Sequence, residues 1–274
     1  MPELPEVETV KRSLKHLVAG KTIRDVDVFI PKMVRNTSIE QFKSILENTT
    51  IADISRIGKY LLFHLGDWFL ISHLRMEGRY FIKPLDQGKD KHEHVIFYFQ
   101  DGLTMRYHDT RKFGTFDLIK QSDLPDFEPI QKMGPEPFDD RMTVDYLYPI
   151  LKRKTIAIKS ALLDQNIIAG LGNIYVNEVL FLCGLHPETP SHNIRKKDVK
   201  NIIKYSRNVL TEAIKQGGTT IRSYTSSLGV TGRFQQQLNV HGQDICKQCG
   251  QEILKIKVGG RGTYYCKKCQ KKRY

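Results

Sequence analysis

The sequence predicts a multidomain α+β protein: an N-terminal helix with a two-sheet β-sandwich, a C-terminal helical domain, and a β-hairpin module with four cysteines. Three observations predict it. Apolar residues recur at helical spacing after the N-terminus, then alternate from about Lys21 to Lys120. A series of helical stretches follows "MGPEPFDD" (Met133–Asp140), which reads as a linker. Four of the five cysteines fall within the last thirty residues.

In chain order, Val7, Val10, Leu14 and Leu17 mark one helix face, and Gly20 closes the run. Pro5 suits a first helical position, and Glu6 and Glu8 suit the positive end of the helix. The stretch from Lys21 to Lys120 reads as all-β: "DVDVFI" alternates, "KYLLFHL" and "FLISHL" are short apolar runs, and a hairpin turns on Asp101-Gly102. Helices are expected over Val144–Arg153, Ile158–Gln165, Asn173–Cys183 and Lys196–Gln216. A polar, glycine-containing loop then spans Gly217–Phe234. The expected boundaries are 1–132 for the sandwich domain, 133–140 for the linker, 141–235 for the helical domain with loop 217–234, and 236–274 for the cysteine module.

A chain of 274 residues can bury a core in two or three domains. Its formal charge of +13, from 43 basic and 30 acidic residues, favours a polyanionic partner, nucleic acid or an acidic membrane face. A merely soluble basic protein has the same charge. No apolar run approaches the ~18 residues of a membrane span, and the N-terminus lacks a signal-peptide layout. The expectation is therefore a soluble intracellular protein, with Cys183 a core residue of an apolar helix.

"CKQC" and "CKKC" place Cys246, Cys249, Cys266 and Cys269 as two C-x2-C pairs sixteen residues apart. Four thiolates close the tetrahedral shell of one structural Zn2+ and leave no position for a catalytic water. A redox pair or disulfides compete, but two paired motifs in an intracellular chain favour zinc. The residues between read as a hairpin turning on Gly259-Gly260-Arg261-Gly262, where Arg261 could clamp a phosphate; an arginine in a turn is otherwise simply solvated. Asn173, after the Gly170-Leu171-Gly172 turn, suits an N-cap, and a helix start also suits a phosphate. Lys159 lies one helix earlier with a similar reach.

The opening "MPELPEVE" admits two readings. Proline and glutamate are ordinary in a first helical turn, and on the residues alone that reading is favoured. The other reading is chemical. Removal of Met1 leaves Pro2 with a secondary amine, which condenses with a sugar C1 to an iminium that promotes elimination. An α-amine titrates near ~7.7–8.0 against ~10.4 for lysine, so a useful fraction is neutral at neutral pH. Glu3 is placed for proton transfer.

"PELPEVETV", "GKYLLF", "SHLRMEG", "HDTRKFG", "LLDQ…AGLGNIY" and the four-cysteine hairpin, in this order, resemble the formamidopyrimidine-DNA glycosylase family over essentially the whole chain. The resemblance implies a helix-two-turn-helix arrangement in the helical domain. It also implies a bifunctional DNA glycosylase/AP lyase of base excision repair that excises 8-oxoguanine and formamidopyrimidines. Pro2 would then be the nucleophile and Glu3 the general acid/base, while Glu6 supports the lesion pocket or catalytic centre. Lys59, Asn173 and Arg261 would hold phosphates near the lesion, with His73 and Lys159 as weaker candidates; a strand-end lysine on a solvated face is the plain reading of Lys59. Met76, Arg111 and Phe113 would fill the gap left by the extruded base, with Arg111 reading the orphaned cytosine. The plain alternative puts them in a sandwich core, which suits an arginine poorly. Arg222 and Tyr224 lie in the loop over the extruded base. Thr110 and Lys112 depart from the Pro and Arg of many relatives.

The resemblance further implies one structural Zn2+ and no organic cofactor. The expected partner is duplex DNA carrying an oxidised purine opposite cytosine, bound by a monomer with no membrane contact, in a bacterial cytoplasm and on the nucleoid. Two rivals remain. Endonuclease VIII-like enzymes for oxidised pyrimidines share the proline, glutamate and zinc hairpin, but typically carry glycine where this chain has Leu4. A non-enzymatic zinc DNA-binding protein explains the charge and cysteines but leaves the N-terminus and Lys59 without purpose.

Overall fold

In the computed structural model, residues 2–219 and 232–274 are described. The chain forms two compact units, Met1–Gln131 with Gly217–Gly232, and Lys132–Gln216 with Arg233–Tyr274.

The first unit begins with α1 (Leu4–Val18), which starts one residue before Pro5 and buries Leu4, Val7, Val10, Leu14 and Val18. Its strands are β1 (Ile23–Val28), β2 (Asp53–Ile57), β3 (Tyr60–Leu65), β4 (Trp68–His73), β5 (Arg79–Pro84), β6 (Glu93–Phe99), β7 (Leu103–His108) and β8 (Thr115–Lys120). They form two four-stranded antiparallel sheets, β1-β6-β7-β5 and β2-β3-β4-β8. One apolar core joins α1 to both sheets through Val7, Leu14, Phe63, Phe97, Tyr107 and Phe116.

One expectation is corrected here. The segment 21–120 is not all-β, because α2 (Ile39–Leu46) interrupts it. Ser38 caps that helix by accepting from Gln41 N at 3.1 Å, and Phe42 and Leu46 are buried. A short amphipathic helix of about two turns is enough to seat two side chains in the core.

After a short helix α3 (Glu128–Gln131), the second unit contains α4 (Val144–Lys152), α5 (Ile158–Leu163), α6 (Asn173–Leu182) and α7 (Lys196–Lys215), with the hairpin β9 (Leu254–Val258) and β10 (Arg261–Tyr265). α6 packs on α7, on α5 and on β10. Its buried residues run all round the helix and include Asn177 and Glu178. Cys183 is a second correction: it closes α6 and is only partly buried, rather than sitting in the core. Among the described residues no helix is long and apolar enough to cross a membrane.

Candidate active site

The first turn of α1 is a dense polar cluster within an apolar unit. Glu3 and Glu6 are 2% and 3% exposed, and Pro2 is buried beside them. They form a reciprocal cap: the Glu3 carboxylate accepts from the Glu6 N–H, and Glu6 Oε2 accepts from Glu3 N at 3.0 Å. The other Glu6 oxygen, Oε1, accepts from Thr219 N at 2.8 Å and from Thr219 Oγ1 at 3.1 Å. One carboxylate therefore joins the start of the chain to residues 218–219. Gly218 has φ +88°, and a Cβ there would stand 2.6 Å from Glu6 Oε1. Only glycine suits that position.

Lys59 is buried, at 5% exposure, in the turn between β2 and β3. Its place is fixed from α1. Glu8 Oε2 accepts from Arg56 Nε at 3.1 Å, and Arg56 donates onward to Gly58 O at 2.7 Å. Burial alone would raise the Glu8 carboxyl, but hydrogen bonds from Lys11, Arg12 and Arg56 hold it below its ordinary range. The plain reading of Lys59 as a strand-end lysine on a solvated face does not hold.

His73 ends β4, with Tyr60 edge-on at 4.6 Å. Its Nδ1 accepts from Arg75 N at 2.9 Å. Burial, with the charges of Arg75, Lys59 and Arg35, pushes the ring down to about 3, so it is neutral. Arg75 has φ +53°, the sharp bend from which Met76 leaves the sheet. Across the fold, Asp109 is fully buried and its carboxylate accepts from Arg111 N, Phe113 N and Gly114 N at 3.0, 2.9 and 2.8 Å. That fan of bonds closes the loop carrying Arg111 and Phe113. Phe113 is 51% exposed, with the Arg111 guanidinium 4.8 Å over its ring. Met76 is half-buried, and Arg111 is exposed. Neither Phe113 nor Arg111 belongs to the core.

In the second unit, Gly172 caps α6 and Asn173 is its first residue, which corrects the N-cap expectation. The Asn173 side chain points elsewhere: Nδ2 donates to Gly262 O at 3.1 Å. Gln165 shapes the preceding turn by accepting from Gly170 N at 3.0 Å and donating to Leu171 O at 2.9 Å. Lys159 is fully buried, and its Nζ donates to Gly262 O at 3.1 Å and Thr263 Oγ1 at 2.6 Å. The hairpin turns on Gly259 and Gly260 alone, at φ +53° and +77°, and exposed Arg261 is already the first residue of β10. A two-residue turn with both φ positive matches the twist of the strands.

The four sulfur atoms of Cys246, Cys249, Cys266 and Cys269 lie within 4.8 Å of one another, with Cys246–Cys269 at 3.9 Å and Cys249–Cys266 at 3.5 Å. Zn–S bonds of ~2.3 Å in a tetrahedron place sulfurs ~3.8 Å apart, so the set fits one zinc ion. Phe181, Val240 and Ile253 pack around it.

Sequence reasoning missed Asp109, Tyr107 and Glu178. An aspartate two residues before the loop, with glycine after it, was a readable turn signal. Glu178 is buried in α6 and accepts from the successive backbone N–H groups of Asn239, Val240 and His241 at 2.6, 3.0 and 2.9 Å. Nothing in its spacing marks that contact. Arg222 and Tyr224 lie outside the described residues.

Comparison with known proteins agrees with this geometry. Residues 1–116 match the formamidopyrimidine-DNA glycosylase N-terminal domain, 133–225 the H2TH domain of the same enzymes, and 245–272 a zinc finger found in FPG and IleRS. The formamidopyrimidine-DNA glycosylase of Bacillus licheniformis is 50% identical, over 99% of this chain and 100% of that protein. That of Bacillus subtilis is 48% identical over 100% of both. A crystal structure of Lactococcus lactis Fpg with abasic-site DNA superposes with a TM-score of 0.93 at 42% identity, covering 99% of this chain and 100% of that one. A Lactococcus lactis Fpg mutant with DNA containing Fapy-dG gives 0.94 at 43% identity, with the same coverage. Sandwich, helical unit and zinc hairpin thus agree in one order along the whole chain, which belongs to the formamidopyrimidine-DNA glycosylase family.

Proposed function

We propose that this protein is a bifunctional DNA glycosylase and AP lyase that removes 8-oxoguanine and formamidopyrimidines from duplex DNA, opposite cytosine. The observation that carries the reading is the buried start of α1, where Pro2 and Glu3 sit at a helix N-terminus with Glu6 as their cap. The positive helix end disfavours a proton on the Pro2 amine, which keeps its lone pair available.

The chemistry follows from those groups. The Pro2 nitrogen bonds to C1′ of the extruded nucleotide, and the base departs with the electrons of the glycosidic bond and takes up a proton. Opening of the sugar ring breaks the C1′–O4′ bond and leaves an iminium. Loss of the C2′ proton then expels the 3′ phosphate, and loss of the C4′ proton expels the 5′ phosphate. Glu3 is the proton carrier, and Lys59 holds a phosphate beside the lesion. Water releases the sugar fragment and restores the amine.

Met76 and Phe113 fill the space of the extruded base, and Arg111 hydrogen-bonds the unpaired cytosine. Asn173, Arg261 and His73 face phosphates, whereas Lys159 holds the hairpin that carries Arg261. Arg222 and Tyr224 serve the lesion pocket. The four cysteines hold zinc, which supplies shape to the hairpin and takes no part in the reaction. The protein acts as a monomer in the bacterial cytoplasm, associated with the nucleoid through DNA.

Borohydride trapping tests the reading. The enzyme is expected to cross-link to a duplex with 8-oxoguanine opposite cytosine, and protein whose Pro2 nitrogen is blocked by a retained Met1 to lose that adduct. Preferential trapping on thymine glycol opposite adenine would move the assignment to the oxidised-pyrimidine enzymes. No adduct on either duplex would end the catalytic reading.

A further inference from the structure

We infer that the Tyr107 hydroxyl is a positioning group for base extrusion, fixing the loop that carries Met76 against the loop that carries Arg111 and Phe113. The inference rests on the proposed function of those three side chains. Tyr107 lies one residue from the end of β7 and is fully buried. Its ring is held edge-on by Tyr80 at 5.2 Å and by Phe116 at 4.9 Å. A phenylalanine would fill that apolar site equally well. The oxygen is the part that reaches the loops.

Two glycines mark where it reaches. A Cβ on Gly78 would stand 2.1 Å from Tyr107 Oη, and a Cβ on Gly114 would stand 1.6 Å from it. Gly78 ends the Met76 loop and Gly114 ends the Arg111–Phe113 loop. One hydroxyl therefore occupies the volume a side chain would need at both places, and both backbones close on it. Each loop is internally tied as well: Gly78 N donates to Leu74 O at 2.9 Å, and Gly114 N to Asp109 Oδ2 at 2.8 Å. On the solvent side the Thr110 hydroxyl donates to the Glu77 carboxylate, a second link between the same loops.

With Tyr107 inside and Thr110–Glu77 outside, the two loops form one body. Filling the gap left by an extruded base requires Met76 and Phe113 at a fixed separation, and Tyr107 sets it without touching DNA. Its effect should fall on extrusion of a stacked base, and much less on an abasic site, where no base has to leave the stack.

The test uses the full, zinc-loaded chain. In single-turnover assays, Tyr107→Phe is expected to slow excision of 8-oxoguanine opposite cytosine about tenfold, with cleavage of a preformed abasic duplex changed less than about threefold. Gly78→Ala, which pushes the loop off the hydroxyl from the other side, should give the same pattern. In a Met76→Ala background the Tyr107→Phe change should add less than about a twofold loss, because both act through one placement. Wild-type excision by Tyr107→Phe, fully multiplicative losses with Met76→Ala, or an equal fall of both reactions with a lowered melting temperature would each overturn the inference. Wild-type protein that neither excises nor cleaves would instead sink the functional reading.

Discussion

Glu6 shows how much one carboxylate can hold. Its two oxygens accept from Glu3 N, Thr219 N and Thr219 Oγ1, all in a buried setting. Glu6→Gln keeps the volume but sets an NH2 donor against N–H donors on one side. Losing a charged hydrogen bond at a buried site costs about 1–3 kcal/mol. The variant should therefore fold and melt lower, and its borohydride adduct should form about tenfold more slowly if the cap orients the Pro2 amine. An unchanged trapping rate would confine Glu6 to a stabilising part. His73 makes a pH prediction of the same grain. Its folded value of about 3 lies below its ordinary 6.5. The unfolded chain thus binds the proton more readily, so stability is complete above about pH 6.5 and declines as pH falls toward 3. The slope approaches ~1.4 kcal/mol per pH unit from this group. Denaturant melts at pH 7 and 5 should show the decline, and His73→Gln should flatten it.

At the scale of elements, the hairpin β9–β10 is where position and contact can be separated. Lys159 and Asn173 both donate to Gly262 O, and a Cβ on Gly259 would meet Ser160 Oγ at 2.6 Å. Lys159→Met should weaken duplex binding about tenfold while leaving the slope of log affinity against log salt unchanged. A direct phosphate contact would instead lower that slope by about 1. The same region shows what a sequence can carry. The cysteine spacing specified the zinc cluster because ligand geometry is local to two short turns. Alternation specified the sandwich because each strand buries one face. α2 escaped notice since it is short, lies between strands, and announces itself only by Ser38. Asn173 and Lys159 were legible as polar residues at helix starts, yet their partners lie some ninety to a hundred positions onward. Tyr107 looked like any strand aromatic, because a contact with two glycines in different loops leaves no period to read.

At the scale of the molecule, the charge of +13 is the relevant quantity. Affinity for undamaged duplex should fall about a hundredfold or more between 50 and 200 mM salt, since counterion release drives it. Pro2→Gly should bind with the same salt slope as wild type, because the amine acts on the sugar and not on phosphate. A shallow slope in the wild-type protein would argue against broad phosphate engagement.

The interior location of Pro2 and Glu3 has a practical corollary. Any vector-derived residues left ahead of Pro2 would both acylate its nitrogen and crowd a packed cap, so an amino-terminal affinity handle should yield a folded but chemically inert preparation. The opposite extremity imposes no such restriction: Tyr274 is 98% exposed, and a purification peptide appended there should leave turnover intact.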